Sequence, residues 1–220
     1  GDLFQRDNVQ YYEKRNLPKD LKIYAASDHA VGIDKTRHDL TCLLIVGVDE
    51  NEDIYLIDCW WSRQPSDVVV KAMLELMRRH KPLIWWAERG HISKAIGPFL
   101  RKRMFETKTH CRIEEVTPVA NKVQRSQSII GRMAMKKVYF PKVSAWSQKG
   151  IDELLKFPNA RHDDFVDTLS WIGMGLGQLH SPGGKLKSTG GLFPKVGTIE
   201  WVKWQTTMDS LEQKKLASGF

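Results

Sequence analysis

The sequence predicts an α/β domain on a mixed sheet, with an antiparallel three-strand meander followed by parallel strands and with helices flanking the sheet. Three observations predict it. The chain opens with three apolar runs separated by one loop and one tight polar turn. From residue 66 onward, helical and strand-like patterns alternate. The 220 residues, 41% hydrophobic and 27% charged, suit one globular domain with length left for a tail.

Residues 1–21 are polar and irregular, punctuated by Tyr11, Tyr12 and Pro18, and read as a lead-in. Residues 22–27 form a short strand that ends at Asp28. A loop with Gly32 follows, then a dense apolar run over 40–48, a polar turn over 49–53 and a third strand over 54–61. Ser66 is a suitable N-cap, and Val69, Met73, Leu76 and Met77 recur at helical spacing as far as Pro82. Leu83, Ile84, Trp85, Trp86 and Ala87 make a fully apolar run, the signature of a strand buried on both faces, and it ends at Glu88. A helix over 92–104 is interrupted near Gly97 and Pro98. A strand over 111–116, a helix over 123–136 and a short strand over 138–140 follow, closed by Pro141. Two helices, 145–156 and 162–177, complete the domain, which spans 22–179. Residues 180–220 form a glycine-rich loop and a tail expected to pack on the same domain, with Trp201 and Trp204 in a strand-like stretch.

No apolar run approaches the roughly 20 residues of a membrane span, and the N-terminus has no signal-peptide pattern, so a cytoplasmic location is expected. Cys42, Cys59 and Cys111 are odd in number and too widely spaced for a disulfide framework or a zinc site; buried, reduced thiols are expected. The net charge of +8 suits a polyanionic partner, because neutralised phosphates release counterions.

Three acidic positions fall at element ends: Asp28 after the first strand, Glu88 after the fourth, and Asp163 with Asp164 at the start of the last helix. If the first and fourth strands are parallel neighbours, Asp28 and Glu88 emerge side by side, and a helix starting nearby brings in the Asp pair. Crowded carboxylates repel one another, and divalent cations remove that repulsion. An oxygen-only donor set suits Mg²⁺ or Mn²⁺, and two such ions support phosphodiester hydrolysis. Asp163 and Asp164 project about 100° apart on a helix, so they are not equivalent ligands, and which is the principal one stays open. Asp167, one turn on, is placed to orient a water or a ligand. His162 is a candidate contact to phosphate or water, whereas His29 reads as a solvated loop histidine. Lys122 and Arg125 start a helix, where backbone N–H groups also favour phosphate, and the glycine-rich loop with Lys185 and Lys187 is placed to close over a duplex. Trp85 and Trp86 read as core.

The fragments Asp28-His29-Ala30-Val31-Gly32 with Asp39-Leu40-Thr41, Trp86-Ala87-Glu88-Arg89-Gly90, Lys122-Val123-Gln124-Arg125 and Val138-Tyr139-Phe140-Pro141 occur in a meaningful order. Leu154-Leu155-Lys156-Phe157-Pro158 and His162-Asp163-Asp164-Phe165-Val166-Asp167 complete the set over roughly residues 22–178. The ordered set resembles the nuclease domain of the large terminase subunit of tailed bacteriophages. The resemblance implies an RNase H-like fold and an Mg²⁺- or Mn²⁺-dependent endonuclease that cuts concatemeric double-stranded viral DNA during packaging, in the host cytoplasm. It implies Asp28, Glu88 and Asp163 or Asp164 as metal ligands, Asp39 as a supporting acid, and Arg89 among the DNA contacts. A terminase small subunit and a portal protein are the implied partners in the full motor, with the isolated domain monomeric. The chain has no Gly-x-x-x-x-Gly-Lys-Ser/Thr loop, so no ATP site is expected. A junction resolvase or transposase-like nuclease of the same fold, and a basic module that binds nucleic acid without cutting it, are the alternatives.

Overall fold

Strand-forming residues dominate the first apolar runs, and in the computed structural model they pair as expected. Described are residues 3–29, 40–90, 92, 96–117, 121–159, 162–180 and Thr206. The chain divides into two compact units, Gly1–Leu186 and Lys187–Phe220; the expected packing of residues 181–220 lies, Thr206 apart, outside the described residues.

The first unit is a seven-strand sheet. Its strands are β1 (Gln10–Tyr12), β2 (Lys22–Asp28), β3 (Thr41–Val48), β4 (Ile54–Ser62), β5 (Ile84–Glu88), β6 (Arg112–Val116) and β7 (Val138–Pro141). The order across the sheet is β1-β7-β4-β3-β2-β5-β6. Strands β2, β3 and β4 form the antiparallel meander, while β5 and β6 extend it in parallel on one side and β7 and β1 on the other. This mixed sheet with flanking helices is the RNase H-like architecture. All eight residues of β3 are buried, as a central strand covered on both faces requires.

The helices are α1 (Ser66–His80), α2 (Gly97–Glu106), α3 (Lys122–Ala134), α4 (Ala145–Lys156) and α5 (Asp164–His180). One apolar cluster joins Ala26, Cys42, Leu44 and Trp86 of the sheet to Ile129 and Met133 of α3, Ile151 and Leu154 of α4, and Phe165, Leu169 and Ile172 of α5. Strand alternation turns Ala25, Leu43, Ile45 and Trp85, all buried, to the other face. Helix α1 packs there against β3 and α2 through the buried Val70, Met73 and Met77.

Two sequence expectations are corrected. Residues 10–12 are a strand, not irregular lead-in: β1 pairs with β7 at the sheet edge, and Phe4, Val9 and Tyr12 are buried. A three-residue strand whose partner lies far downstream leaves no local periodicity to read. The helix expected to be interrupted near Gly97 instead has a described helix starting there, with Pro98 in its first turn, where a missing N–H removes no helical bond.

Helix α5 crosses the sheet so closely that Gly175 lies on the indole of Trp86, and any Cβ there would overlap the ring. Trp86 is 1% exposed and has nowhere to move. Gly175→Ala is therefore expected to destabilise the domain by about 1–3 kcal/mol. The check is a thermal melt, and an unchanged midpoint would show that the helix can lift without penalty. Among the described residues, no helix is long and apolar enough to cross a membrane.

Candidate active site

In the parallel pairing of β2 with β5, Ser27 lies opposite Ala87. Each strand then ends on an acid, so Asp28 and Glu88 leave the sheet side by side at the same rim. Alternation aligns both with Ala26 and Trp86, on the face covered by α3 and α5. After Glu88 the chain turns through Gly90, whose φ of 86° suits a residue without a Cβ. The Arg89 N–H donates to the Val116 carbonyl at 2.9 Å, and the Gly90 N–H donates to Glu115 Oε1 at 3.2 Å. This turn leaves Arg89 exposed.

Helix α5 starts at Asp164 and packs on β2, β3 and β5. Asp163 precedes it, and its carbonyl accepts the Asp167 N–H at 2.8 Å. The acidic pair and Asp167 thus stand over the ends of β2 and β5. Asp164 and Asp167 are buried, whereas the Asp163 side chain retains 25% exposure. Burial, and then Asp167, Asp164, Glu88 and Asp163 in that order, push the Asp28 carboxyl well above the usual carboxylate range. Five carboxylates from three stretches of sequence therefore share one field.

The two cations at the start of α3 face this field. Asn121 caps the helix, its side chain accepting the Gln124 N–H at 2.8 Å. Lys122 Nζ pairs with Asp163 and lies 3.8 Å from Asp167. Burial works against its ammonium, but Asp163 and Asp167 outweigh it and hold its pKa above the ordinary value. Arg125 Nη2 donates to Asp167 Oδ1 at 3.0 Å, and its guanidinium lies 5.2 Å from the Trp171 ring centroid. Burial raises the Asp167 pKa while Arg125 opposes the rise. Lys122 and Arg125, read from sequence as phosphate contacts, direct their charge onto these acids. A shallow depression of about 610 Å³, lined by Asn121, Lys122, Val123, Gln124 and Gln127, borders the cluster through Lys122.

The sequence reading missed Glu153. From α4, its Oε1 accepts the backbone N–H groups of Phe165 at 2.8 Å and Val166 at 3.1 Å, capping the helix that carries the acidic pair. Burial pushes its pKa up to about 7; those two N–H bonds oppose the rise and Asp164 and Asp163 add to it. Its only sequence signal was an acid amid the apolar residues of an amphipathic helix. His29 corrects the solvated-loop expectation: it is 5% exposed, with Nε2 2.7 Å from Ser27 Oγ, which also accepts from Trp85 Nε1 at 2.9 Å. Ser27 and Trp85 belong to the face opposite Asp28. His162 is exposed beside Asp163. Asp39, Lys185 and Lys187 lie outside the described residues. The cysteines are free thiols, Cys42 buried and Cys59 and Cys111 partly so.

The donor chemistry fits a hard divalent cation. Asp28, Glu88, Asp163, Asp164 and Asp167 are oxygen donors only, and among the described residues Lys122 and Arg125 are the cations seen to pair with Asp163 and Asp167. Among the described residues, no three acidic, histidine or cysteine side chains enclose a common point at metal-ligand distance. The carboxylates converge without closing, with Lys122 drawn onto Asp163.

No protein-family model matches the sequence, and no curated protein is similar to it in sequence. Solved structures do match. The large terminase nuclease from thermophilic phage G20c with bound magnesium superposes with a TM-score of 0.55 at 14% identity, covering 79% of this chain and 96% of that one. The large terminase nuclease domain of Thermus phage P74-26 gives 0.54 at 13% identity, covering 78% and 93%. The human cytomegalovirus terminase nuclease domain, manganese-soaked and inhibitor-bound, gives 0.50 at 12% identity, covering 79% and 90%. At these identities the likeness is one of fold, and the fold is that of terminase nuclease domains.

Proposed function

We propose that this chain is the nuclease part of a viral genome-packaging enzyme, a metal-dependent endonuclease that cleaves double-stranded DNA concatemers by two-metal-ion hydrolysis with little sequence preference. The observation that carries the reading is the convergence of Asp28, Glu88 and the acidic start of α5 on one sheet rim. Similarity to folds whose solved examples hold magnesium or were soaked in manganese supports it.

Asp28, Glu88 and Asp164 or Asp163 would hold two Mg²⁺ or Mn²⁺ ions, with Asp167 and Asp39 supporting them. Bound there, such ions supply an activated water and charge stabilisation at the leaving oxygen. The chain's own residues do the rest. Strand ends fix Asp28 and Glu88, which matters because misplacement by about 1 Å lowers rates on the order of 100-fold. Glu153 holds the start of α5 in place. Arg125 keeps Asp167 oriented, and Lys122 balances Asp163. Exposed Arg89, with Lys185 and Lys187, would meet the DNA backbone, and His162 would contact phosphate or water. No ATP chemistry is assigned to this chain, and a terminase small subunit and a portal are its proposed partners in the full motor.

The test is a panel of supercoiled plasmid, linear duplex and four-way junction, incubated with Mg²⁺, Mn²⁺ or EDTA. Metal-dependent cutting of plasmid and linear duplex without a discrete ladder is expected. Cleavage confined to the junction would replace this reading with a resolvase, and binding without cutting would remove the enzyme altogether.

A further inference from the structure

An acidic cluster repels the polyanion it is proposed to cut, so the same rim needs cations not neutralised by the protein itself. The register of the meander locates one. Asp28 lies opposite Cys42, and Cys42 opposite Trp61, so Trp61 of β4 stands in the same row and on the same face as Asp28, two strands away. At 4.7–4.9 Å per strand, the separation is about 10 Å.

Trp61 is built into the site's framework. Its ring stacks on Phe165, with centroids 5.5 Å apart and planes at 27°, and Phe165 directly follows the acidic pair. On Trp61, the Lys149 ammonium of α4 lies 3.6 Å from the ring centroid. The next residue, Gly150, packs directly on Phe165, where a Cβ would meet the ring at 2.7 Å. Lys149 is exposed and makes no salt bridge among the described residues. It differs in this from Lys122 paired with Asp163, from Lys137 paired with Asp53, and from Lys142 paired with Glu13.

We propose that Lys149, held over Trp61 by a cation–π contact, is a pre-positioned phosphate-binding residue that receives the nucleic-acid backbone beside the acidic cluster. The aromatic pedestal limits the lysine's rotamers, so less entropy is lost when a phosphate docks. Exposed Arg89 flanks the cluster on its far side, next to Glu88. From Trp61 to Glu88 is three strand spacings, about 15 Å, which matches about four base steps of a duplex at about 3.4 Å each along its axis. The backbone would thus cross the rim from β4 over β3 and β2 to β5. This inference rests on the nuclease reading for its ligand but not on metal binding or cutting.

The test measures binding of a fluorescein-labelled blunt duplex by anisotropy in EDTA across a salt series. Each phosphate contact contributes about 0.9 to the slope of log K against log salt. Lys149→Gln is expected to reduce the slope by about 0.9 and to weaken binding about eightfold at 0.1 M salt, whatever the duplex sequence. Lys71→Gln, on α1 at the opposite face and paired with Asp67, is expected to leave both unchanged. Trp61→Leu, confirmed folded by circular dichroism, should weaken binding, and adding Lys149→Gln to it should weaken binding by less than it does in the wild type. A wild-type slope in Lys149→Gln, with binding intact, overturns the proposal and leaves the nuclease reading standing. A wild-type protein that binds no duplex at any salt in EDTA overturns the proposal, and plasmid cutting by the same protein with Mn²⁺ leaves the nuclease reading standing. If Trp61→Leu does not fold, the Lys149→Gln slope alone decides.

Discussion

Asp28→Asn is expected to abolish metal-dependent cleavage while raising the melting temperature of the metal-free protein. Both effects come from one cause. Asp28 lies under burial and in the field of Asp167, Asp164, Glu88 and Asp163, all of which disfavour its ionised form. An amide of the same shape removes one member of a crowded set of like charges, so the apoprotein gains stability at neutral pH. The same change removes an anionic ligand, and the rate is expected to fall about 1000-fold or more, equivalent to at least about 4 kcal/mol of transition-state stabilisation. A divalent ion at a hundredfold excess over its Kd stabilises a folded protein by about 2.7 kcal/mol. For a domain of this size that is a rise of about 5–10 °C in Tm, present in the wild type and lost in Asp28→Asn. The measurements are plasmid cleavage with Mn²⁺ and melts with and without the ion. Equal cutting by both proteins, or an equal Mn²⁺-induced rise, would remove Asp28 from the site.

Glu153→Gln is expected to erase part of the pH dependence of stability. The Glu153 pKa is raised from 4.5 to about 7 in the folded protein, mainly by burial, with Asp164 and Asp163 contributing. A raised folded-state pKa means the native state binds the proton more tightly than the unfolded chain does. That stability is fully present below pH 4.5 and is lost as pH rises towards 7. With solvent screening allowed for, the loss amounts to about 2 kcal/mol. The glutamine oxygen still accepts the N–H groups of Phe165 and Val166, so at pH 8 the variant should melt at or above the wild type and at pH 5 no higher. Glu153→Ala should behave differently. It strands two buried donors at a helix start and is expected to be about 1–3 kcal/mol less stable at both pH values. Parallel melting profiles for wild type and Glu153→Gln between pH 5 and 8 would show that Glu153 titrates as a solvated acid.

Local pattern carried much of this protein in its sequence. The apolar runs ending at Asp28 and Glu88, the turn over 49–53 and the helical spacing from Ser66 are all signals within a few residues, and they became β2, β5, the β3–β4 turn and α1. Strand-end acids were legible because a carboxylate after a buried Trp-Trp-Ala run has few structural reasons to be there. The polarity pattern therefore determined the elements other than β1, the mixed sheet and which acids stand at element ends.

Only the tertiary structure decided what those residues meet. That Arg125 lies against Asp167, that Lys122 pairs with Asp163, and that Glu153 caps α5 from α4 depends on how α3, α4 and α5 pack over one face. Strand β1, the buried His29 and the Lys149–Trp61 contact are decided there as well. The physical reason is range. Secondary structure answers to periodicity over a turn or two, whereas an ion pair, a cap or a cation–π contact depends on the register and crossing of elements far apart in the chain. A formal charge read from sequence has no direction until packing supplies one.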